Sequence, residues 1–396
     1  MRDALARAAV SAVMSRGVRH GRIEVLEGGR RRCFGPADAD LRATVTVHDP
    51  AAWRGPLHGS VGLGEGYVDG LWETDDLVAL IRICARELRD LDGLRGAVAK
   101  PRGALHRLRG LVPENTRGGA RENISAHYDL GNDLFAEFLD ERMMYSCAYF
   151  PNEGASLEEA QVAKLDRICD QLRLDSDSHL LEIGTGWGGL AVHAASQNGC
   201  RVTTTTISTR QHELASRRVR EAGLQDRVTV LLQDYRDLRG SYDRLVSVEM
   251  IEAVGWQYFD EFFRRCDQLL APDGLMLLQA ITIDDGIYEA EKGARSFANT
   301  HVFPGGCLPS KAAIADCVAR VTSMREIWLD DITSHYPPTL AAWRKRFFEG
   351  WERLRPSGYD ERFRRLWDFY LSSSEAGFRE RRIGDVQALF AKPGWS

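Results

Sequence analysis

The chain has 396 residues, 44% of them hydrophobic and 28% charged, enough to fill a core and solvate a surface, so disorder over most of its length is excluded. A formal net charge of −5 argues against a dedicated nucleic-acid binder, whose affinity rests on neutralising phosphates. The eight cysteines, Cys33, Cys84, Cys147, Cys169, Cys200, Cys266, Cys307 and Cys317, form no C-x-x-C pair and no short Cys/His spacing, so neither a zinc site nor a disulfide framework is indicated.

No run approaches the roughly 18 consecutive apolar residues of a spanning helix. Arg7, Arg16 and Arg19 interrupt the opening before any secretory core forms, and a soluble, cytoplasmic protein is expected. Residues 1–94 read as a small α+β domain: an Ala-rich helical opening, an alternating strand at 41–47 and a helical run at 77–88. Between them, the glycines of 60–72 suggest turns and close backbone approach. A phosphate loop is the weaker reading, since no Gly-Lys-Thr follows. Residues 95–120 hold Lys100, Arg102, Arg107, Arg109 and Arg117 with Pro101, Pro113 and a single acid, Glu114, which marks a basic linker with a short amphipathic helix around 104–111. It reads as a solvated connector or, for a lipid substrate, as a patch for anionic headgroups.

From 121 to 396 apolar runs at 180–183, 201–207, 228–232, 244–248 and 275–283 alternate with amphipathic helical stretches such as 210–222 and 258–270. That alternation predicts an α/β, doubly wound, Rossmann-like sheet. Phe363, Leu366, Trp367, Tyr370 and Leu371 have helical spacing, expected of core packing or of a wall of an acyl tunnel.

The first run continues as Leu181-Glu182-Ile183-Gly184-Thr185-Gly186-Trp187-Gly188-Gly189, an apolar strand, an acid, then glycines opening a helix. Such glycines permit a tight turn, close approach of backbone to ligand and close packing of helix on strand. Several nucleotide-binding folds share the pattern. A dinucleotide enzyme would show G-x-G-x-x-G and an acid closing the second strand. Here the spacing is G-x-G-x-G, through Gly184, Gly186 and Gly188, and the second strand ends Thr204-Thr205-Thr206-Ile207-Ser208 without an acid. The acid instead precedes the glycines as Glu182, where a carboxylate could hold the ammonium of an amino-acid cofactor, and Asp234 could accept from an adenine amino group. Together these features favour S-adenosylmethionine.

Longer segments surround that core: Arg121-Glu122-Asn123-Ile124-Ser125-Ala126-His127-Tyr128-Asp129-Leu130-Gly131-Asn132, Met144-Tyr145-Ser146-Cys147-Ala148-Tyr149-Phe150, Glu249-Met250-Ile251-Glu252-Ala253-Val254-Gly255 and Phe303-Pro304-Gly305-Gly306-Cys307. With the glycine turn and Thr206-Ile207-Ser208, the chain resembles the cyclopropane-fatty-acyl-phospholipid synthase family from about 121 onward, and weakly at Gly64-Glu65-x-Tyr67. The resemblance implies an S-adenosylmethionine-dependent methyltransferase that adds a methylene to the cis double bond of a phospholipid acyl chain. The alkene attacks the sulfonium methyl, a carbocation forms, and a base takes a proton from the new methyl to close the ring. It further implies that the base is a bound bicarbonate ion, held by Glu252, Tyr336 and backbone at Cys147 and Ile281. Implied cofactor contacts are Tyr128, Tyr145, Ser146, Gly184, Gly186, Thr206, Ile207, Gln211, Asp234 and Tyr235. Gln279 stands where family members often place histidine; it can donate a hydrogen bond to an anion but cannot carry charge or relay a proton.

The residue types suit the chemistry. A carbocation demands a site that excludes water, aromatic faces stabilise passing positive charge, and a weakly nucleophilic alkene must be held in line with the methyl. Glu252 beside an anion implies a raised pKa from like charges. The alternatives are a methylenating enzyme, in which a hydride shift precedes proton loss, a small-molecule methyltransferase, and a silent binding protein with a damaged anion site. Cys147 could be a nucleophile but reads as structural, His127 reads as packing rather than a base, and Glu249 either pairs with Glu252 or caps the following helix. The expected partners are unsaturated phospholipid acyl chains at the inner membrane surface, a second copy of the chain and, for a methylene product, a reductase.

Overall fold

A computed structural model describes residues 1–98 and 131–395. Tyr128, His127 and the basic segment from 99 onward lie outside the described residues. The chain folds as two compact units, one made of Met1–Leu111 with Gly293–Val302 and Leu340–Ile383, the other of Val112–Lys292 with Phe303–Thr339 and Gly384–Ser396. The small unit expected over 1–94 is therefore completed by two segments from the second half of the chain.

In that first unit, β1 (Arg22–Glu27), β2 (Arg30–Phe34), β3 (Arg42–Val47) and β4 (Trp72–Thr74) form a sheet in the order β2-β1-β3-β4. The Gly28-Gly29 pair, both at positive φ, makes the two-residue turn that sets β2 antiparallel to β1. Helices Arg2–Gly17 and Leu77–Val98 lie where expected. The glycine-rich stretch does not form turns throughout: Gly59–Val68 is a helix, and the turn comes at Gly70, at φ +72°. Close approach explains why a helix carries these glycines. A Cβ at Gly64 would sit 2.3 Å from the Phe297 ring, and one at Gly62 would sit 2.6 Å from the Gly55 carbonyl. The helix Glu361–Arg379 buries Trp367, Tyr370 and Leu371, so the aromatic stripe packs the core. Tyr67 Oη donates to Asp368 at 2.6 Å and Arg344 Nε donates to the same carboxylate at 2.7 Å.

The second unit is a seven-stranded sheet in the order β10-β11-β9-β8-β5-β6-β7, with β5 (His179–Ile183), β6 (Arg201–Thr206), β7 (Val228–Leu232), β8 (Tyr242–Val248), β9 (Leu270–Ile283), β10 (Arg325–Asp331) and β11 (Ile383–Ala391). β5 pairs in parallel with both β6 and β8. All five expected strands are present, and the expected α/β, doubly wound class holds. β10 and β11 pair antiparallel and were not foreseen, because β10 reads Arg-Glu-Ile-Trp-Leu-Asp-Asp at a half-exposed sheet edge and lacks clean alternation. The chain leaves β5 toward β6 and β7, then returns to β8 on the other flank. The carboxyl ends of β5 and β8 thus form the switch point at which doubly wound sheets bind ligands. Phe262, Phe263, Leu278 and Phe390 anchor the core on one side, and Leu165, Leu190, Val246 and Leu277 on the other.

Candidate functional site

The glycine turn leaves β5 with Gly184, Gly186 and Gly188 at φ +105°, +52° and +86°, a backbone run that side-chain-bearing residues adopt only under strain. Nothing lies within 4 Å of a Cβ built at Gly186, whereas one at Gly188 would meet Ala215 at 3.0 Å. Gly186 thus keeps backbone open for a ligand, and Gly188 lets the helix Thr209–Glu221 approach. Glu182 is buried, and burial pushes its carboxyl up to about 8, the Thr204 hydroxyl countering only in part. Its Oε2 has no hydrogen-bond partner, and neither does the buried Tyr235 hydroxyl.

Buried polar atoms left without partners are costly unless a ligand or water satisfies them. An ammonium at Glu182 and a hydroxyl or amine near Tyr235 would do so, and the open backbone at Gly186 suits an adenosyl group. These residues therefore fit S-adenosylmethionine, which when bound supplies an electrophilic methyl on a sulfonium. Thr206 Oγ1 donates to Gln211 Oε1 at 2.7 Å and fixes that amide, with Ile207 half-buried beside it. Asp234 takes Arg236 on both oxygens, through Nε at 2.9 Å and Nη2 at 2.6 Å, a pairing the sequence reading did not include; a carboxylate keeps further lone pairs for a donor. The Tyr145 ring packs edge-on to Phe135 at 5.3 Å, and Phe303 stacks 6.3 Å away. The Ser146 hydroxyl accepts from the buried Lys164 ammonium at 2.6 Å.

The segment after β8 touches the glycine turn, since a Cβ at Gly184 would lie 3.2 Å from Met250 Cγ. On either side of Met250 stand Glu249 and Glu252, both half-buried in a cluster that neither the periodicity nor the contiguous motifs assemble in full. Glu249, at φ +47°, accepts from Cys147 N at 2.8 Å, Gln279 Nε2 at 2.8 Å and Tyr336 Oη at 2.5 Å. Glu252 Oε1 accepts from Ile281 N at 2.5 Å, and its Oε2 is unpartnered. Asp385, from β11, lies 3.2 Å from Gln279 Nε2, and Gln387 Nε2 donates to Gln279 Oε1 at 3.0 Å, which fixes the Gln279 amide with its nitrogen toward the carboxylates.

Three carboxyls and the Lys164 amine share this space, Asp385 and Lys164 fully buried and the two glutamates half-buried; burial lowers the Lys164 pKa, and Glu249 and Asp140 oppose the fall. Burial pushes Glu252 up to about 8, helped by the charge of Glu249. Burial likewise holds Asp385 far above the usual carboxylate range, with Glu249 again adding to it. Glu249 is raised by burial too, but three donors and Lys164 oppose the rise. The ionised form therefore concentrates on Glu249, where the donors converge, and its neighbours hold their protons. The Cys147 thiol is pushed well up by burial and by Asp385 and Glu249, which makes it a poor nucleophile.

The structure brings together Cys147, Glu252, Gln279, Ile281 and Tyr336 as expected. It does not leave their donors for bicarbonate: Cys147 N and Tyr336 Oη are bonded to Glu249, and Ile281 N to Glu252. The ion does not fit the ligand set assigned to it. Glu249 was expected only as a pair for Glu252 or a cap, and the structure shows no capping bond from it to the short helix Ile251–Ala253. Asp385, Gln387 and Lys164 were missed altogether, because a lone polar residue inside an apolar strand or helix gives no periodic signal.

Residues 116–388 match the family model of mycolic acid cyclopropane synthetase. The chain is 40% identical over 373 residues to the tuberculostearic acid methyltransferase of Mycobacterium tuberculosis, covering 90% of this chain and 85% of that one. It is 38% identical to the cyclopropane-fatty-acyl-phospholipid synthase of Escherichia coli K12, covering 90% and 89%. Among solved structures, mycolic acid cyclopropane synthase CmaA1 complexed with SAH and CTAB superposes with a TM-score of 0.65 at 30% identity, covering 69% of this chain and 98% of that one. With the seven-stranded sheet, the glycine turn and the buried acids on one switch point, the chain belongs to the cyclopropane synthase family of S-adenosylmethionine-dependent methyltransferases.

Proposed function

We propose that the protein transfers a one-carbon unit from S-adenosylmethionine to the cis double bond of an unsaturated phospholipid acyl chain and closes a cyclopropane ring. The observation that carries this reading is the approach of the Glu249–Met250 segment to the glycine turn, which sets a half-buried acceptor for protons next to the place where a methyl donor would lie. A soluble metabolite bearing an oxygen or nitrogen nucleophile would need no such sequestered cluster. Burial of Cys147, Gln279 and Asp385 keeps water from a cation, and the rings of Phe135, Tyr145 and Phe303 suit a sulfonium. The names of the relatives support a lipid acceptor. A second reading, a methylene branch after a hydride shift, is favoured by Gln279 in the place of the family histidine and by the relative named a methyltransferase.

The first unit is assigned to lipid presentation at the inner membrane surface, helped by the basic segment around 95–120. Among the described residues no helix is long and apolar enough to cross a membrane, so access to lipid would be from the surface. Purified protein, S-adenosylmethionine and vesicles of dioleoyl phosphatidylglycerol are expected to yield lipid with one added carbon, read by mass spectrometry. Proton NMR then separates ring protons from vinylidene protons. Methylation of a soluble metabolite with no change in the vesicles would overturn the reading.

A further inference from the structure

We propose that the Glu249 carboxylate stands in the place of an exogenous anion and itself accepts the proton released from the transferred methyl group, so that turnover requires no bicarbonate. The inference rests on the proposed alkene chemistry for its substrate, but its geometric basis is independent of the lipid. Three donors converge on one carboxylate: the backbone N–H of Cys147, the amide of Gln279 and the hydroxyl of Tyr336. That is a receptor for a small planar anion, and the anion in it belongs to the chain. Gln387 holds the Gln279 amide in register, and the Glu249 peptide N–H is secured to the Gln279 carbonyl at 2.8 Å.

The backbone reports the same thing. Glu249 is one of four described non-glycine residues at positive φ, a conformation glycine adopts freely and glutamate only at a cost of roughly 1 kcal/mol. A strained position that carries a half-buried carboxylate, where glycine would relieve both the strain and the partial desolvation, points to use of the carboxylate. Burying a carboxyl for packing alone is unfavourable.

The step balances without a further reactant. The alkene π pair forms the bond to the methyl carbon as the sulfur–methyl bond breaks, its electrons remaining on sulfur. A C–H bond of that methyl then breaks, its pair closes on the cationic carbon, and the proton passes to Glu249. After a hydride shift the same pair would form a carbon–carbon double bond, so the role does not depend on which product results.

Two measurements test this. In the first, carbon-13 NMR of labelled bicarbonate is followed as protein is added. Wild type is expected to leave the signal sharp, and Glu249→Gly, which vacates the receptor at a φ that suits glycine, to broaden it in proportion to bound ion. Broadening by wild type that matches the variant would overturn the inference. In the second, turnover on dioleoyl phosphatidylglycerol vesicles is compared in argon-sparged buffer with and without added bicarbonate. Wild type is expected to be indifferent, Glu249→Gln to lose about 100-fold or more with cofactor binding retained, and Glu249→Gly to regain turnover as bicarbonate is added. Wild type that stops without bicarbonate, or Glu249→Gln that retains turnover, would overturn it. If wild type never modifies the vesicles, the proposed function fails, and the binding measurement still decides the place of the anion.

Discussion

At the residue scale the site is governed by which buried acid is charged. Glu252, held near 8 by burial and by its neighbour, is neutral around pH 7, so Glu252→Gln swaps one neutral group for another and is expected to cost about tenfold or less in turnover, far below the loss for Glu249→Gln. Kinetics of the two variants side by side check this ordering. Gln279→Ala removes a donor that favours ionised Glu249, so the carboxyl rises further and the acidic limb of the pH–rate profile should move to higher pH. A limb that stays in place would deny Gln279 that role. Glu182, pushed up to about 8 in the free protein, must ionise to hold an ammonium. Cofactor affinity should therefore climb with pH up to about 8 and level off above it. Calorimetry in buffers of different ionisation enthalpy should show a proton released near pH 7, and Glu182→Gln should abolish that release. The sign for stability follows: the folded state binds a proton at Glu182 that the unfolded chain sheds above its ordinary range, so this group's contribution falls as pH rises toward 8.

At the element scale, local chemistry explains what the sequence made readable. The helix Leu157–Gln171 begins on a capping box between Ser156 and Glu159, and Thr209–Glu221 begins on Ser208, which accepts from Gln211 N; Ser156→Ala should cost about 1 kcal/mol in denaturant unfolding. At the turn, Gly186→Ala meets no neighbouring atom but enforces a strained φ and fills the open backbone. It should weaken cofactor binding by more than it lowers thermal stability, and equal losses would speak against the assigned contact. Strands β5, β8 and β9 were legible as largely apolar, mostly buried runs, and β6 and β7 by their β-branched valines and threonines. The edge strand β10 escaped because it is polar and half-exposed, and the Gly59–Val68 helix because glycine weighs against helix until Phe297 and Gly55 are seen pressing on it. The site was legible where contiguous motifs bring their own neighbours. Tyr336 and Cys147 were expected near an anion and donate to Glu249, whose place among them depends on a backbone turn at φ +47°, which no spacing rule announces.

At the scale of the whole molecule, charge and topology matter more than single contacts. The basic composition of 95–120 predicts binding to anionic vesicles that weakens as salt is raised, since surface charges are screened over about 10 Å at 0.1 M; co-sedimentation across a salt series checks this, and salt-independent binding would point to apolar insertion instead. The first unit carries a consequence of another kind. Its helix Leu77–Val98 is pinned by Arg82 and Arg86 to Glu380, and Tyr67 to Asp368, so its early segments find their partners 298 and 301 residues further along the chain. During synthesis those surfaces must wait, uncovered, while the large sheet between them is translated and folds. A nascent chain stalled before residue 361 should consequently be the species most readily captured by chaperones, and emergence of residues 361–380 should end that capture in one cooperative step.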